Sequence, residues 1–356
     1  MARRLERPLL AGLYHGVPLD RDRVEVCNAG RTVVLTATGR AASVVGLLGA
    51  LDGTASIDEL TARFPELAVP SLLDSLQARG LLLDARGGGR ASLTAAALHS
   101  GATPRETQRS LRSFTVMFAG CGPVAATSAV ELAKAGVAGI VLADEDVVTE
   151  HEVATTPVLS REAVGRPRTN AIKDACTQLA DVAVTIRSSA VPIGDVNFVI
   201  IQARYEQSGL LAVTADAALR AGVEHLVHWQ DALEMVIGPV ITRGGRPCHR
   251  CMESRRLSHV LHLDAHLAYL GHRAQVAPEP DSFLAAHTSI ASGLLSTTVL
   301  QHLTRTTAEE HRGTAVVLDL ATVQWRREDV LEVPGCVTCA AAATDPAPVA
   351  PVVTSS

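Results

Sequence analysis

Four of the seven cysteines fall in two Cys-x-x-Cys pairs, Cys248 with Cys251 and Cys336 with Cys339. With this spacing, each pair can place two thiolates on the same tetrahedral zinc ion. Because thiolates would fill all four positions, no water is left for the metal to activate, and we predict a structural zinc. Such a site would tie the C-terminal part of the chain to its middle. Two unrelated pairs or a redox dithiol are the alternatives.

A second group of residues has the spacing of a nucleotide-binding loop. An apolar run, Gly120-x-Gly122-x-x-Ala125, a helical pattern, a second apolar run and Asp144 follow the order of a Rossmann βαβ unit. Glycines permit a tight turn close to a phosphate, the helix N-terminus offers N–H donors, and Asp144 could accept ribose hydroxyls. Pro123 and Ala125 depart from the usual glycine pattern. The loop could therefore serve only helix–strand packing, and nucleotide binding is left open.

The pattern of strands and helices continues beyond this loop. Strands are expected at AVTIRSS, NFVIIQA and EHLVHWQ, with a helix around GLLAVTADAALRAG. This alternation predicts an α/β domain of Rossmann type. The remaining cysteines, Cys27, Cys121 and Cys176, are interpreted as small buried residues.

The first part of the chain follows a different pattern. β-branched runs around Asn-Ala-Gly-Arg predict a hairpin within residues 24–36, and apolar residues at helical spacing predict a helix over 42–51. A capping-box pattern at Ser56 begins a second helix, and Pro70 opens a third that Gly80 ends. Three helices and a hairpin resemble a winged helix-turn-helix domain.

Length and composition set the domain organisation and the classes of partner. A chain of 356 residues suggests two domains. We predict a winged-helix domain over 1–86, a linker over 87–111, a Rossmann domain with the zinc clasp over 112–342 and a disordered Ala/Pro-rich tail over 343–356. The net charge of −5 argues against a nucleic-acid partner. Without a signal-like or membrane-spanning apolar run, a cytoplasmic protein with no membrane partner is expected.

The second domain resembles the ThiF/MoeB superfamily, the adenylate-forming fold of ubiquitin-activating enzymes. The resemblance covers roughly residues 112–342 and rests on the Rossmann start, DEDVV, VGRPRTNAI and the two cysteine pairs. Around ATP, that superfamily uses an Arg after the acidic strand, a Lys in a Gly-x-Pro-Lys segment and an Asp before the first zinc knuckle. In this chain the segment VVTEHEVATTP has no Arg, Arg168 replaces the Lys, and Gln202 and Arg204 stand where the carboxylates would be.

These departures imply a scaffold that has lost its adenylation chemistry, because cations neutralise the phosphate charge and the Asp holds magnesium. Any nucleotide bound near Gly120, Gly122, Asp144 and Arg168 would then be a vestige. Members of the superfamily often dimerise through the Rossmann domain, which leaves a homodimer open.

The whole chain is similar, more narrowly, to the leader-peptide-binding ThiF-like partners of YcaO cyclodehydratases in thiazole/oxazole-modified peptide and thiopeptide biosynthesis. In that family the leader of a ribosomally made precursor adds as a strand beside the hairpin and packs on the third helix. The resemblance implies a peptide site at strand 31–36 and helix 70–79. The predicted contact residues are Val33, Leu35, Leu72, Leu76 and Arg79. Each apolar one could instead belong to the core of its domain.

The function expected from this resemblance is that of a non-catalytic adaptor, which binds a precursor leader and docks the ATP-using YcaO enzyme. An active ThiF-type adenylating enzyme is the main alternative. A DNA-binding regulator would need a basic third helix, but PSLLDSLQARG carries one Arg and one Asp. An NAD dehydrogenase would explain the glycine loop but not the cysteine pairs. His262 and His266, one helical turn apart, lack a third ligand with clear spacing and are assigned to a solvated or partner-facing helix.

Overall fold

A computed structural model of the chain describes residues 6–10, 14–28, 31–79, 81–84, 104–188, 190–191, 193–204, 208–231, 233–242, 244–273, 275, 284–304 and 312–339. The chain forms two compact units, Met1–Ser110 and Leu111–Ser356. The predicted tail and most of the predicted linker lie outside the described residues. The predicted domain boundaries therefore stay predictions.

The first unit combines short antiparallel strands with three helices. Its elements are β1 (Pro8–Leu10), β2 (His15–Pro18), β3 (Arg23–Asn28), β4 (Arg31–Thr36), α1 (Ala41–Ala50), α2 (Ile57–Arg63), α3 (Val69–Ala78) and β5 (Leu82–Asp84). Strands β2, β3 and β4 form one antiparallel sheet in that order, and β1 pairs with β5. The predicted hairpin and the three predicted helices are confirmed. That this unit is a winged helix stays a prediction.

Local sequence explains where the helices of this unit begin. Ser56 Oγ accepts the N–H of Glu59 at 3.2 Å, and the Glu59 carboxylate accepts the N–H of Ser56 at 2.7 Å, which is the predicted capping box. Pro70 lies in the first turn of α3, where its missing N–H costs nothing. The apolar faces of these helices pack on the inner face of the sheet in one buried cluster.

Helix α4 (Pro104–Leu111) overlaps the predicted linker, and all of it but its last residue belongs to the first unit. The second unit contains alternating strands and helices. These are β6 (Thr115–Ala119), α5 (Pro123–Ala135), β7 (Gly139–Ala143), α6 (Glu150–Thr155), α7 (Arg168–Leu179), β8 (Ala183–Arg187), β9 (Phe198–Arg204), α8 (Ser208–Arg220), β10 (Glu224–Asp231), β11 (Glu234–Ile241), α9 (His249–Leu257), α10 (Leu263–Arg273), α11 (Ala285–Leu303), β12 (Thr314–Asp319) and β13 (Gln324–Asp329). The strands predicted at AVTIRSS, NFVIIQA and EHLVHWQ are confirmed as β8, β9 and β10.

One eight-stranded sheet, ordered β13-β12-β11-β10-β9-β6-β7-β8, forms the centre of this unit. Strands β10, β9, β6, β7 and β8 run parallel, as a Rossmann fold requires, whereas β10 to β13 are antiparallel neighbours. The switch from parallel to antiparallel pairing occurs at β10 because only residues 232–233 connect β10 to β11, and a parallel crossover needs a much longer connection. The predicted α/β class is confirmed, with a mixed sheet.

The helices of the second unit cover this sheet. Helix α5 packs against α7 and α11, and α8 packs against β9 and β10. Within the described part of the chain, no helix is long and apolar enough to cross a membrane.

Candidate functional site

The four paired cysteines converge at one point of the second unit. Their sulfur atoms all lie within 4.8 Å of one another. The Sγ atom of Cys248 lies 3.8 Å from that of Cys251 and 3.7 Å from that of Cys336, and the Sγ atoms of Cys251 and Cys339 are 3.5 Å apart. A tetrahedral ion with Zn–S bonds of about 2.3 Å would hold its sulfurs about 3.8 Å apart. The four cysteines could therefore hold one metal ion such as zinc.

The surroundings of this cluster suit a bound metal. Cys248 caps the N-terminus of α9, which places Cys251 in the first turn of the same helix. Cys248, Cys251 and Cys339 are fully buried, and Cys336 is partly buried. The N–H of Val333 donates to Cys251 Sγ at 3.4 Å, a contact that would support a thiolate. Burial raises the pKa of the Cys248 thiol to about 11, so metal binding would release protons.

The other cysteines are separate from this cluster. Cys121 and Cys176 are buried, which confirms their interpretation as small core residues, and Cys27 is partly buried in β3. Burial raises the pKa of Cys176 to about 12, and burial together with the Asp144 carboxylate raises that of Cys121. Both thiols therefore stay protonated and unreactive near neutral pH. Among the described residues, His262 and His266 belong to no group of three or more potential metal ligands.

The glycine loop between β6 and α5 is built for close packing. Gly120 has φ +87°, and a Cβ added there would lie 2.1 Å from the carbonyl oxygen of Gln202 on β9. Only glycine fits such an approach of two backbones. Close packing of the two backbones is therefore sufficient to explain the glycine at position 120, without a bound nucleotide.

The N-terminus of α5, where a phosphate would bind in a Rossmann fold, is bonded to groups of the chain itself. The N–H of Ala125 donates to Gln202 Oε1 at 3.0 Å, and the N–H of Cys121 donates to Asp144 Oδ2 at 2.7 Å. Pro123, at the first helical position, has no N–H to offer. Two of the N–H groups expected to face a phosphate are thus already used, and Pro123 supplies none.

Asp144 and Arg168 form the centre of a compact ionic cluster. Arg168 Nη1 lies 3.5 Å from Asp144 Oδ2 and 2.6 Å from Asp146 Oδ2, and its Nη2 lies 2.6 Å from Glu152 Oε1. The N–H of Asp146 also donates to Asp144 Oδ1 at 2.7 Å. Burial raises the pKa of Asp144, and the Arg168 guanidinium opposes that shift. One guanidinium thus faces three carboxylates, which leaves the region acidic and gives Arg168 partners other than a phosphate.

In the first unit, β4 forms one edge of its sheet, and the hydrogen-bond pattern shows which of its groups face outward. The N–H of Ala37 donates to the carbonyl oxygen of Asp22, so these two opposite residues form a hydrogen-bonded pair. In an antiparallel sheet, hydrogen-bonded and non-hydrogen-bonded pairs alternate along the strands, and this one bond therefore assigns every pair between β3 and β4. Val33 and Leu35 therefore bond to β3, while Val34 directs its N–H and C=O toward the open edge. Within the described residues, no strand pairs with that edge.

The predicted peptide-contact residues occupy different environments. Leu35 and Leu76 are 6% and 0% exposed and belong to the core of the first unit. Val33 and Leu72 are partly buried against that core. Arg79 is exposed at the end of α3, and its Nη1 donates to the carbonyl oxygen of Ser75 at 2.9 Å. A peptide could reach Arg79 more readily than Leu35 or Leu76, and the role of each residue stays a prediction.

Part of the chain matches a known protein family. Residues 95–224 match the ThiF family model. The match covers the glycine loop, the Asp144–Arg168 cluster and α8, and thereby supports the predicted ThiF/MoeB-like superfamily. No curated protein sequence matches the chain.

Several solved structures share the fold of this chain. MccB of E. coli, crystallised with succinimide, has a TM-score of 0.71 and 14% identity over 93% of this chain and 99% of its own. The microcin C7 biosynthetic enzyme MccB in complex with N-formylated MccA has a TM-score of 0.69 and 15% identity, with the same coverage. PaaA has a TM-score of 0.67 and 18% identity over 90% of this chain and 99% of its own. At these identities the likeness is one of fold.

Two features of the ThiF-like site could not be assigned from the sequence. The sequence showed that Gln202 lies where the superfamily has a carboxylate pair. It did not show that the Gln202 amide contacts the N-terminus of α5, because that contact depends on the pairing of β6 with β9. Glu152 lies in the segment that lacks the expected Arg, and its capping box with Thr149 is the only signal that could have located it. Its ion pair with Arg168 appears only when α6 and α7 are folded together.

Proposed function

We propose that this chain is a non-catalytic adaptor in the modification of ribosomally synthesised peptides. Its first unit would bind the leader of a precursor, and its second would dock a YcaO-type cyclodehydratase that forms azolines in the core of that precursor. The observation that carries the proposal is the glycine loop, in which the N–H groups of Ala125 and Cys121 are bonded to Gln202 and Asp144. An enzyme that adenylates its substrate needs those donors and additional cations for ATP.

The acidic surroundings of Arg168 support the same conclusion. Arg168, at the place of the catalytic Lys of the ThiF/MoeB superfamily, is held by Asp144, Asp146 and Glu152. Moving it to a phosphate would leave Asp144 and Glu152 buried without their cation, which is costly. The scaffold would therefore keep its shape and its metal clasp without activating ATP.

Leader binding is proposed for the open edge of β4. A peptide added there as a strand would bond to the outward N–H and C=O of Val34, and side chains near Leu72 and Arg79 would read its sequence. Binding of this kind draws affinity from the main chain, so a modest number of exposed side chains is enough. It also covers an edge strand that would otherwise be open to aggregation.

The adaptor would act by tethering. Holding the leader on one chain and the YcaO enzyme on the same chain raises the effective concentration of core Cys, Ser and Thr residues at the active site, to the millimolar range for short flexible linkages. We propose a structural zinc at Cys248, Cys251, Cys336 and Cys339, which would keep the docking unit rigid. A homodimer through the second unit is compatible with this role.

The likeness to MccB is relevant to peptide recognition and also provides the second candidate function. MccB has been crystallised with MccA, which supports a peptide as the ligand of this chain, and also with ATP, at a TM-score of 0.70 and 15% identity. The ATP complex favours an active adenylating enzyme that acts on a peptide or sulfur carrier. That candidate is the weaker one because the loop donors and Arg168 are already engaged.

The substitution Val34→Pro tests the proposed leader site. Proline removes the outward N–H of β4 and leaves the bonds of Val33 and Leu35 to β3 intact. We expect the affinity for a fluorescein-labelled leader, taken from the precursor encoded nearest to this chain, to fall about tenfold or more. Fluorescence polarisation measures the affinity, and far-UV circular dichroism verifies the fold.

Val34→Ala is the matched control, because it keeps the outward N–H and removes only part of a side chain that is 50% exposed. We expect its affinity to stay within about threefold of the native value. A folded Val34→Pro protein that binds the leader as the native chain does would exclude strand addition at β4.

A further inference from the structure

We propose that the second unit contains a subsite for one neutral, apolar residue of a peptide. The subsite is a cavity of about 240 Å³ between the start of α8, the end of β10 and α9. It lies at the carboxyl ends of parallel strands, where open α/β sheets bind their ligands. The assignment of the peptide as the precursor rests on the proposed function, whereas the cavity and its chemistry do not.

Much of the wall of the cavity is apolar. Leu211 and Ala212 from α8, Trp229 from β10 and Met252 from α9 line it. Trp229 is only 6% exposed, and the guanidinium of Arg256 lies 5.9 Å from the centre of its ring. An indole held in this way offers a fixed face on which an aromatic or aliphatic side chain can stack at little entropic cost.

One wall of the cavity contains a buried histidine. His249 is 3% exposed, and within the described residues neither of its ring nitrogens makes a hydrogen bond. The nearest carboxylate atom, Asp216 Oδ1, is 3.5 Å from its Nε2. Leaving such a group unpaired costs free energy that a ligand with an amide or hydroxyl group would recover.

The charged groups at the rim of the cavity are already paired. Arg250 Nη2 lies 2.8 Å from Asp216 Oδ2, and Glu253 Oε2 lies 3.8 Å from Arg256 Nε. Among the described residues of this rim, a charged ligand would meet no uncompensated opposite charge. The rim therefore favours a neutral ligand.

The size of the cavity suits a single side chain better than a whole nucleotide. Clefts that enclose complete small-molecule ligands are typically about 300–1,000 Å³, larger than this one. A single side chain with its neighbouring peptide group matches both the volume and the chemistry: an apolar body against Trp229 and an amide toward His249. The subsite would thus select one position of a bound peptide, separately from the leader site on the first unit.

Tryptophan fluorescence offers a direct test. The chain has two tryptophans, and Trp325, 67% exposed, lies on β13 away from the cavity lining. In the full chain carrying Trp325→Phe, the remaining emission comes from Trp229. Titration with N-acetyl-phenylalaninamide should change that emission saturably, with a Kd on the order of 1 mM. The α-amide of N-acetyl-aspartic acid, whose free side-chain carboxylate is charged, should cause no saturable change.

Two neighbouring substitutions in the Trp325→Phe background locate the binding site. Ala212→Leu fills the cavity and should weaken binding at least tenfold, whereas Val213→Leu, next in sequence but 58% exposed, should not. Absence of a saturable change, or a change that Ala212→Leu leaves intact, would overturn the subsite. We also expect unlabelled precursor peptide to compete with the probe, and a lack of competition would overturn the peptide assignment. Because leader binding is tested on the first unit by Val34→Pro, each proposal can fail without the other.

Discussion

Replacing Cys251 with serine is expected to abolish zinc binding and to lower the free energy of unfolding of the second unit by more than about 4 kcal/mol. Cys251 is fully buried, with its Sγ 3.8 Å from that of Cys248 and 3.5 Å from that of Cys339. Serine offers a hard hydroxyl in place of a soft thiolate, and three sulfurs cannot close a tetrahedral structural site. The segment after β13 that carries Cys336 and Cys339 would then lose its link to α9.

Both tryptophans, Trp229 and Trp325, belong to the second unit, so urea unfolding followed by tryptophan fluorescence reports on that unit. Atomic emission gives the zinc content of the same sample. Cys176→Ala is the matched control, since Cys176 is a fully buried thiol outside the cluster. It should keep its zinc and cost about 1 kcal/mol. A Cys251→Ser protein with unchanged zinc content and stability would contradict the proposed clasp.

Replacing Leu76 with glutamate is expected to unfold the first unit. Leu76 is 0% exposed in the core, and a carboxylate there would be buried without a partner. The expected cost exceeds about 4 kcal/mol, which approaches the whole stability of a small domain. Loss of leader binding in this variant would therefore be a consequence of unfolding and no evidence that Leu76 contacts the peptide.

Amide hydrogen exchange measured by mass spectrometry distinguishes unfolding of the first unit from loss of a direct contact between Leu76 and the peptide. In Leu76→Glu, peptides that cover β3, β4 and α3 should lose their protection. Ala78→Glu introduces the same charge at an exposed position of the same helix and should change stability by no more than about 0.5 kcal/mol. If Leu76→Glu kept native protection and lost only leader binding, Leu76 would be a peptide contact after all.

The features that could be predicted from the sequence are those in which local spacing dictates geometry. Two Cys-x-x-Cys pairs converge because each pair is a short turn that presents two sulfurs together, and the fold has only to join two turns. The Rossmann order around Gly120 and Asp144 is likewise local, since the strand, the turn and the helix follow one another in the chain. Ser56 marked the start of α2 through its own hydrogen bonds.

The features that could not be predicted depend on contacts between distant segments. The amide of Gln202 reaches α5 only because β9 lies beside β6. Leu76 is a core residue and Leu72 is only partly buried, but both lie on the apolar face of α3. Apolar periodicity alone therefore does not distinguish them. The cavity beside Trp229 is formed by α8, β10 and α9, and no motif marks it.

The central claim, that this chain binds a leader and leaves ATP chemistry to a partner, is tested most directly by one combined measurement. A labelled leader peptide is titrated with the purified chain by fluorescence polarisation, while ATP consumption is followed in the same sample before and after a YcaO-type enzyme is added. We predict a Kd of about 1 µM or tighter and no ATP consumption until the partner is present. ATP consumption by the chain alone, without leader binding, would contradict the account and identify an adenylating enzyme.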